Sequence, residues 1–311
     1  MEKFAQKFLI EAEKLGAQDL YVLPRGDNYQ LLARNGETRH KLALLPTEKA
    51  TQLMAHFKFI AGMNVGEKRR PQLGSCLYDI GGRMQRLRLS SAGDFENRES
   101  MVIRFLYDGE KPLGFWIDGE NEAKRLIQAR GLYLFSGPVG SGKTTLMHYL
   151  ATHCFTNSQI ISIEDPVEIV NPDFLQLQLN ETIGMTYDTL IKLSLRHMPD
   201  LVMVGEIRDE ETARAVIRAS LTGYTVFSTV HAKSPKGVVA RLIELGITQG
   251  ELANALSGIV YQRLLNQKGL LEVVNENFAD WTPNSWNAKL QRLVTDGSLD
   301  ARQARAEEIK A

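Results

Sequence analysis

The rhythm of apolar and polar positions changes once along this chain, near residue 113. Over 2–15, Phe4, Phe8, Leu9, Ala12 and Leu15 fall near one helical face with Lys and Glu on the other, and Gly16 ends the helix. The runs at 19–24 and 29–34 read as strands around the turn Gly26-Asp27-Asn28. A second helix is predicted over 47–63, followed by strand-like runs near 76–80, 84–90 and 100–106. Residues 1–106 thus read as one α+β unit, and the charged, turn-rich stretch 107–112 as a linker. Beyond it, strand patterns at 131–136, 159–163, 174–178, 200–204 and 224–230 alternate with helical ones at 143–154, 186–197, 209–221 and 236–245. That alternation predicts an α/β domain over 113–267 with a mostly parallel sheet and helices on both faces. The polar remainder, 268–311, reads as a peripheral helical tail.

Composition narrows the function classes. A chain of 311 residues is long enough for two cores. Thirty-seven basic side chains balance 37 acidic ones, so no large nucleic-acid face is expected. No apolar run reaches membrane-spanning length, and the N-terminus lacks the apolar core of a signal peptide. Two distant cysteines, Cys76 and Cys154, fit a reducing compartment and buried apolar roles, so a cytoplasmic location is expected.

The chemistry is concentrated in Gly137-Pro138-Val139-Gly140-Ser141-Gly142-Lys143-Thr144-Thr145. This run fits the G-x-x-x-x-G-K-[ST] phosphate loop, and it lies between a predicted strand and a predicted helix, as the mechanism requires. Glycines let several backbone N–H groups face one anion, and the helix start adds partial positive charge. Lys143 is placed to reach the β- and γ-phosphates of ATP, and Thr144 to ligate Mg²⁺.

Three other segments end strands of the same predicted sheet, where ligands of such folds bind. Ile160-Ile161-Ser162-Ile163-Glu164-Asp165-Pro166-Val167-Glu168 delivers clustered carboxylates. Taken alone it also fits a solvated turn; with a triphosphate beside it, Glu164 could hold Mg²⁺ or orient a water. Asp200 to Asp209 presents four apolar residues and then Gly205-Glu206, the pattern of a second metal-side strand. Glu206 and Glu164 remain alternative general bases. Tyr224 to His231 ends in Ser228, Thr229 and His231, polar groups suited to sensing a γ-phosphate. In the first domain Arg86 and Arg88 share a strand face, and Arg69, Arg70, Arg98 and Arg104 add to the set. Any one of them could be surface charge, or a finger on a transferred phosphoryl.

Together these residues resemble the secretion ATPases of the type II secretion and type IV pilus class, over roughly 17–266. The segment 164–168 looks like that family's aspartate box, 203–209 like its Walker B with Gly for the usual Asp, 222–231 like its histidine box, and Gln262-Arg263-Leu264 like its post-box signature. In the first domain, Lys68-Arg69-Arg70-Pro71-Gln72, Leu87-Arg88-Leu89-Ser90 and Val102-Ile103-Arg104 look like the region that presents arginines to the nucleotide. Residues 57–70 and 175–184 look closest to the competence-pilus branch of streptococcal type, which serves DNA uptake. Tyr224 stands where the wider family often has a first histidine, and Met198 where it commonly has Asp.

The resemblance implies a RecA-like P-loop NTPase domain behind a smaller, PAS-like α+β domain. It implies Mg²⁺-dependent ATP hydrolysis, with Glu164, Glu206, His231, Arg88 and Arg104 as catalytic candidates and Thr144, Glu164 and Glu206 on the metal side. It further implies a homo-hexamer that acts on a polytopic membrane platform protein, and only indirectly on pilins. The chain would then lie in the cytoplasm at the membrane surface, with no direct nucleic acid contact. The four-cysteine element of many assembly ATPases is missing, so no zinc is expected. Two rivals stand beside this motor: a nucleotide-binding scaffold with little turnover, and a nucleic-acid translocating NTPase.

Overall fold

Period-2 burial organises the first hundred residues. The computed structural model describes residues 1–35, 38–106 and 113–310, so the linker expected at 107–112 lies outside the described residues. The chain divides into two units, Met1–Asp108 and Gly109–Ala311. In the first, α1 (Glu2–Lys14), β1 (Asp19–Arg25), β2 (Asn28–Asn35), β3 (Thr38–Pro46), α2 (Thr47–Ile60), β4 (Gln72–Ile80), β5 (Arg83–Gly93) and β6 (Glu99–Leu106) follow in order. The strands form one antiparallel sheet, β3-β2-β1-β6-β5-β4. Phe8 and Leu9 of α1 and Leu53, Met54 and Phe57 of α2 join Leu20, Leu31, Leu87, Leu89 and Ile103 of the sheet in one core. Because Leu87 and Leu89 point inward, Arg86 and Arg88 share the other face. Two details depart from the pattern read in the sequence. Helix α2 stops at Ile60, just before Gly62 at φ 68°. Strand β3 was not visible in the pattern, because it is an edge strand in which only Leu45 is buried.

The second unit contains β7 (Gly114–Phe115), α3 (Gly119–Leu126), β8 (Gly131–Ser136), α4 (Lys143–Cys154), β9 (Ile160–Glu164), β10 (Leu175–Gln178), α5 (Tyr187–Leu195), β11 (Leu201–Val204), α6 (Glu210–Leu221), β12 (Thr225–Val230), α7 (Pro235–Glu244), α8 (Gln249–Ala255), β13 (Leu256–Leu265), β14 (Lys268–Val274), α9 (Asn284–Thr295) and α10 (Ala301–Glu307). Its sheet runs β10-β9-β11-β12-β8-β13-β14-β7 and is parallel apart from the β13–β14 pair. Strands β8, β9, β11 and β12 are buried throughout, which is why they read as apolar runs. Alternate residues feed two cores. Leu132, Leu134, Val202, Val204 and Val226 meet α5, α6 and α7; Tyr133, Phe135, Leu201, Met203 and Phe227 meet α4. Among the described residues no helix is long and apolar enough to cross a membrane.

The expected tail, 268–311, is corrected at its start. Residues 268–274 are not helical: they form β14, antiparallel to β13. Helices α9 and α10 do follow, but Trp286 is fully buried and meets Tyr261 edge-on, with ring centroids 5.2 Å apart. Arg263 donates to the Tyr261 hydroxyl at 2.7 Å and pairs with Glu307, while the indole N–H of Trp286 donates to the Glu307 carbonyl at 2.9 Å.

Candidate active site

The loop between β8 and α4 is shaped by its glycines. Gly137 has φ 147°, and a Cβ there would lie 2.1 Å from the Gln262 carbonyl oxygen. Gly142, left-handed at φ 84°, caps α4 and would set a Cβ 3.1 Å from the Gln262 amide nitrogen. Val139 stands exposed on the loop, and Thr144 and Thr145 lie half-buried in the first turn of α4. Lys143 is only 8 % exposed, and its Nζ donates to the carbonyls of Gly137 at 3.1 Å and Pro138 at 2.9 Å. Burial holds its pKa below the ordinary lysine range, an effect that Glu206 partly opposes. Three observations fit a polyphosphate here. The ammonium is buried without a carboxylate at ion-pair distance among the described residues, the Ser141 hydroxyl is buried with no partner among them, and α4 starts with no side-chain cap.

Parallel pairing brings the ends of β9, β11 and β12 to the same edge as this loop. Glu164 closes β9, 3 % exposed. Its Oε1 accepts from Ser162 Oγ at 2.7 Å and Gln176 Nε2 at 3.3 Å, and its Oε2 lies 3.6 Å from Nε2 of His148 on α4. Next comes Gly205, whose N–H donates to the Ile163 carbonyl at 2.8 Å and whose carbonyl accepts from Thr229 Oγ1 at 2.7 Å. A Cβ at 205 would sit 3.3 Å from the Tyr187 hydroxyl and 3.5 Å from Glu164 Cα, so the strand end packs closely against both. Glu206 is engaged through both oxygens, by His231 Nε2 at 3.1 Å and Arg208 Nε at 2.8 Å. Tyr187 stands among these carboxylates. Burial, then the field of Asp165, pushes its phenol up to about 12, with Glu206 and Glu164 adding and Arg208 opposing.

Lys143, Glu164, Glu206 and His231, each singled out in the sequence, thus come together. The arginines belong to the first unit. Arg88 on β5 and Arg104 on β6 are cross-strand partners. Arg104 forks onto buried Asp19, Nε to Oδ1 at 2.7 Å and Nη2 to Oδ2 at 3.4 Å. Sequence reasoning overlooked Tyr187, His148, Ser162, Gln176 and Arg208. Only Ser162, two residues before Glu164 on one strand face, and Arg208, within the Walker B-like segment, carried a usable signal.

A family model described as "Type II/IV secretion system protein" matches residues 1–295. The chain belongs to that family. Within the family it is 52% identical over 309 residues to the competence protein ComGA of Streptococcus pneumoniae (strain ATCC BAA-255 / R6), covering 99% of each chain. It is 35% identical over 273 residues to ComGA of Bacillus subtilis (strain 168), covering 86% of this chain and 76% of that one. The crystal structure of the pilus retraction motor PilT with bound ADP shares the fold, with TM-score 0.75, 23% identity, and 98% and 97% of the two chains covered. As a type II/IV secretion system protein with an intact phosphate loop, the chain is a P-loop ATPase.

Proposed function

We propose that this chain is the ATPase motor that drives assembly of a competence pilus and so supports DNA uptake. The observation that carries the reading is the 52% identity to a competence protein over 99% of both chains, together with the assembled loop, Glu164, Glu206 and His231. Lys143, Ser141 and the α4 N-terminus hold the polyphosphate. Thr144, with Glu206 or Glu164, would hold Mg²⁺, which neutralises phosphate charge when bound. Glu164 activates the attacking water. Its Oε1 is held by a neutral hydroxyl and a neutral amide, which orient it and leave its charge available to a proton, whereas Glu206 is tied to Arg208 and His231. Glu206 and His231 follow the γ-phosphate, and Arg88 and Arg104 meet the transferred phosphoryl.

The working unit is a homo-hexameric ring at the cytoplasmic face of the membrane. It passes motion to a polytopic platform protein, and through it to pilins. A scaffold with little turnover would need none of these carboxylates, and a translocase would need a basic track that the neutral composition does not supply. The test pairs two measurements. Purified chain should hydrolyse Mg–ATP without stimulation by single-stranded DNA, and a cell deprived of its own copy should regain surface pili and DNA uptake from the wild-type chain but not from Lys143→Ala. Restoration of both by Lys143→Ala would refute the motor. Strong stimulation by DNA would favour the translocase.

A further inference from the structure

We infer that His148 is a positioning residue that sets Glu164 and ties it, through α4, to the phosphate loop. The inference rests on the reading of Glu164 as the water-activating carboxylate.

His148 lies five residues after Lys143 on the same helix, about 7.5 Å along its axis. The ring is 4 % exposed and stacks on Phe174, with centroids 5.7 Å apart and planes 21° apart. Neither ring nitrogen has a hydrogen-bond partner among the described residues, an unusual condition for a buried polar group. What Nε2 faces is Glu164 Oε2, at 3.6 Å. Bonded pairs of this kind sit at about 2.7–3.2 Å, so an approach of less than about 1 Å closes the contact. As the Nε2–H tautomer, the imidazole then donates to Oε2 while Ser162 and Gln176 keep Oε1.

A second route already joins the carboxylate to α4. Gln176 Oε1 accepts from the Asn171 N–H at 2.8 Å, Asn171 Nδ2 donates to Thr152 Oγ1 at 3.2 Å, and that hydroxyl donates to the His148 carbonyl at 3.0 Å. Glu164 is therefore gripped on one side by a polar chain that ends on α4, and faced on the other by a side chain of α4. Polyphosphate bound at the helix start acts on the same rigid element. A small shift of α4 changes the His148–Glu164 gap and with it the aim of the carboxylate.

The experiment compares His148→Gln with His148→Leu. Both lose the ring stacked on Phe174, but only Gln places an N–H near the Nε2 position. With Mg–ATP in the full-length chain, His148→Leu should lose roughly ten- to a hundredfold in kcat, the scale of a reacting group misplaced by up to 1 Å. Nucleotide Kd should stay within about twofold of wild type, the loss falling on the chemical step alone. His148→Gln, at a matching melting temperature, should recover most of the loss. In an Glu164→Gln background, His148→Leu should add no further loss, because it acts through that carboxylate. Equal kcat for Gln and Leu, or full additivity with Glu164→Gln, overturns the inference and leaves a packing role. Wild-type turnover by Glu164→Gln alone instead overturns the reading of Glu164 on which it stands.

Discussion

Replacing Lys143 by Met separates binding from folding. In the structure the ammonium is buried and leans on two carbonyls, those of Gly137 and Pro138. Losing both bonds, each from a charged donor, costs about 3–6 kcal/mol in total. Removing a buried charge returns desolvation energy of similar or larger size, up to several kcal/mol. Without nucleotide, the variant should therefore melt within a few degrees of wild type, or later. The sign with pH follows from the lowered pKa. Below the lowered value, folded and unfolded chains both carry the proton and the burial penalty is complete. Between that value and the ordinary 10.5, the unfolded chain binds the proton that the folded chain has released, so stability rises with pH across this window. Lys143→Met should flatten that rise. Chemistry responds oppositely, because the loop's one side-chain cation is gone. Turnover should fall by about 10²–10³-fold, or ~2.7–4 kcal/mol. The assay is melting with and without Mg–ATP analogue at a hundred times the wild-type Kd, where a native-state ligand stabilises by about 2.7 kcal/mol. Phosphate release is measured in parallel. A variant that melts well below wild type yet keeps the full nucleotide shift would show instead that the lysine holds the loop and not the phosphate.

Gly137→Ala should abolish nucleotide binding while the sheet persists, because the new methyl would meet the Gln262 carbonyl at 2.1 Å; unchanged affinity by titration would contradict the close approach. Glu164→Gln should bind Mg–ATP and turn it over slowly; if Glu206→Gln does this and Glu164→Gln is normal, the two roles are exchanged. Arg104→Ala should destabilise the first unit by about 1–3 kcal/mol in denaturant melts, because buried Asp19 loses its fork. Arg88→Ala should slow hydrolysis, and mixing it with Lys143→Ala chains should restore some activity if the arginine serves a neighbour's loop; wild-type turnover by Arg88→Ala removes it from the site.

The parts legible in the sequence are those whose physics is local. The phosphate loop needs glycines at fixed offsets, and β8, β9, β11 and β12 advertise burial on both faces as mainly apolar runs. Once those strands are parallel, Glu164, Glu206 and His231 must converge, so their grouping could be read before any side chain was placed. Strand β3 could not be read, because an edge that buries only Leu45 carries no alternation. Strand β14 was missed because its two-residue turn, Asn266-Gln267, takes positive φ at both positions without a glycine to signal it. The site's supporting groups were hidden for another reason. Tyr187, His148 and Gln176 reach the carboxylates from helices and a strand whose packing is tertiary, and Arg104 finds Asp19 across 85 residues.

Strand β13 presents its side chains by turns: Tyr261 and Arg263 to Trp286 and Glu307, and Gln262 to Gly142 of the phosphate loop. A slip of one residue would exchange them, putting a guanidinium against Gly142 and an amide against the indole. The C-terminal helices thus act as a proofreader of register. By packing on Tyr261 and pairing with Arg263, they favour the register in which Gln262 floors the loop, although they contribute no atom to it. A chain cut before Trp286 keeps every residue of the ATP site and the pairing of β13 with β8 and β14, but loses this second check on the strand's alignment.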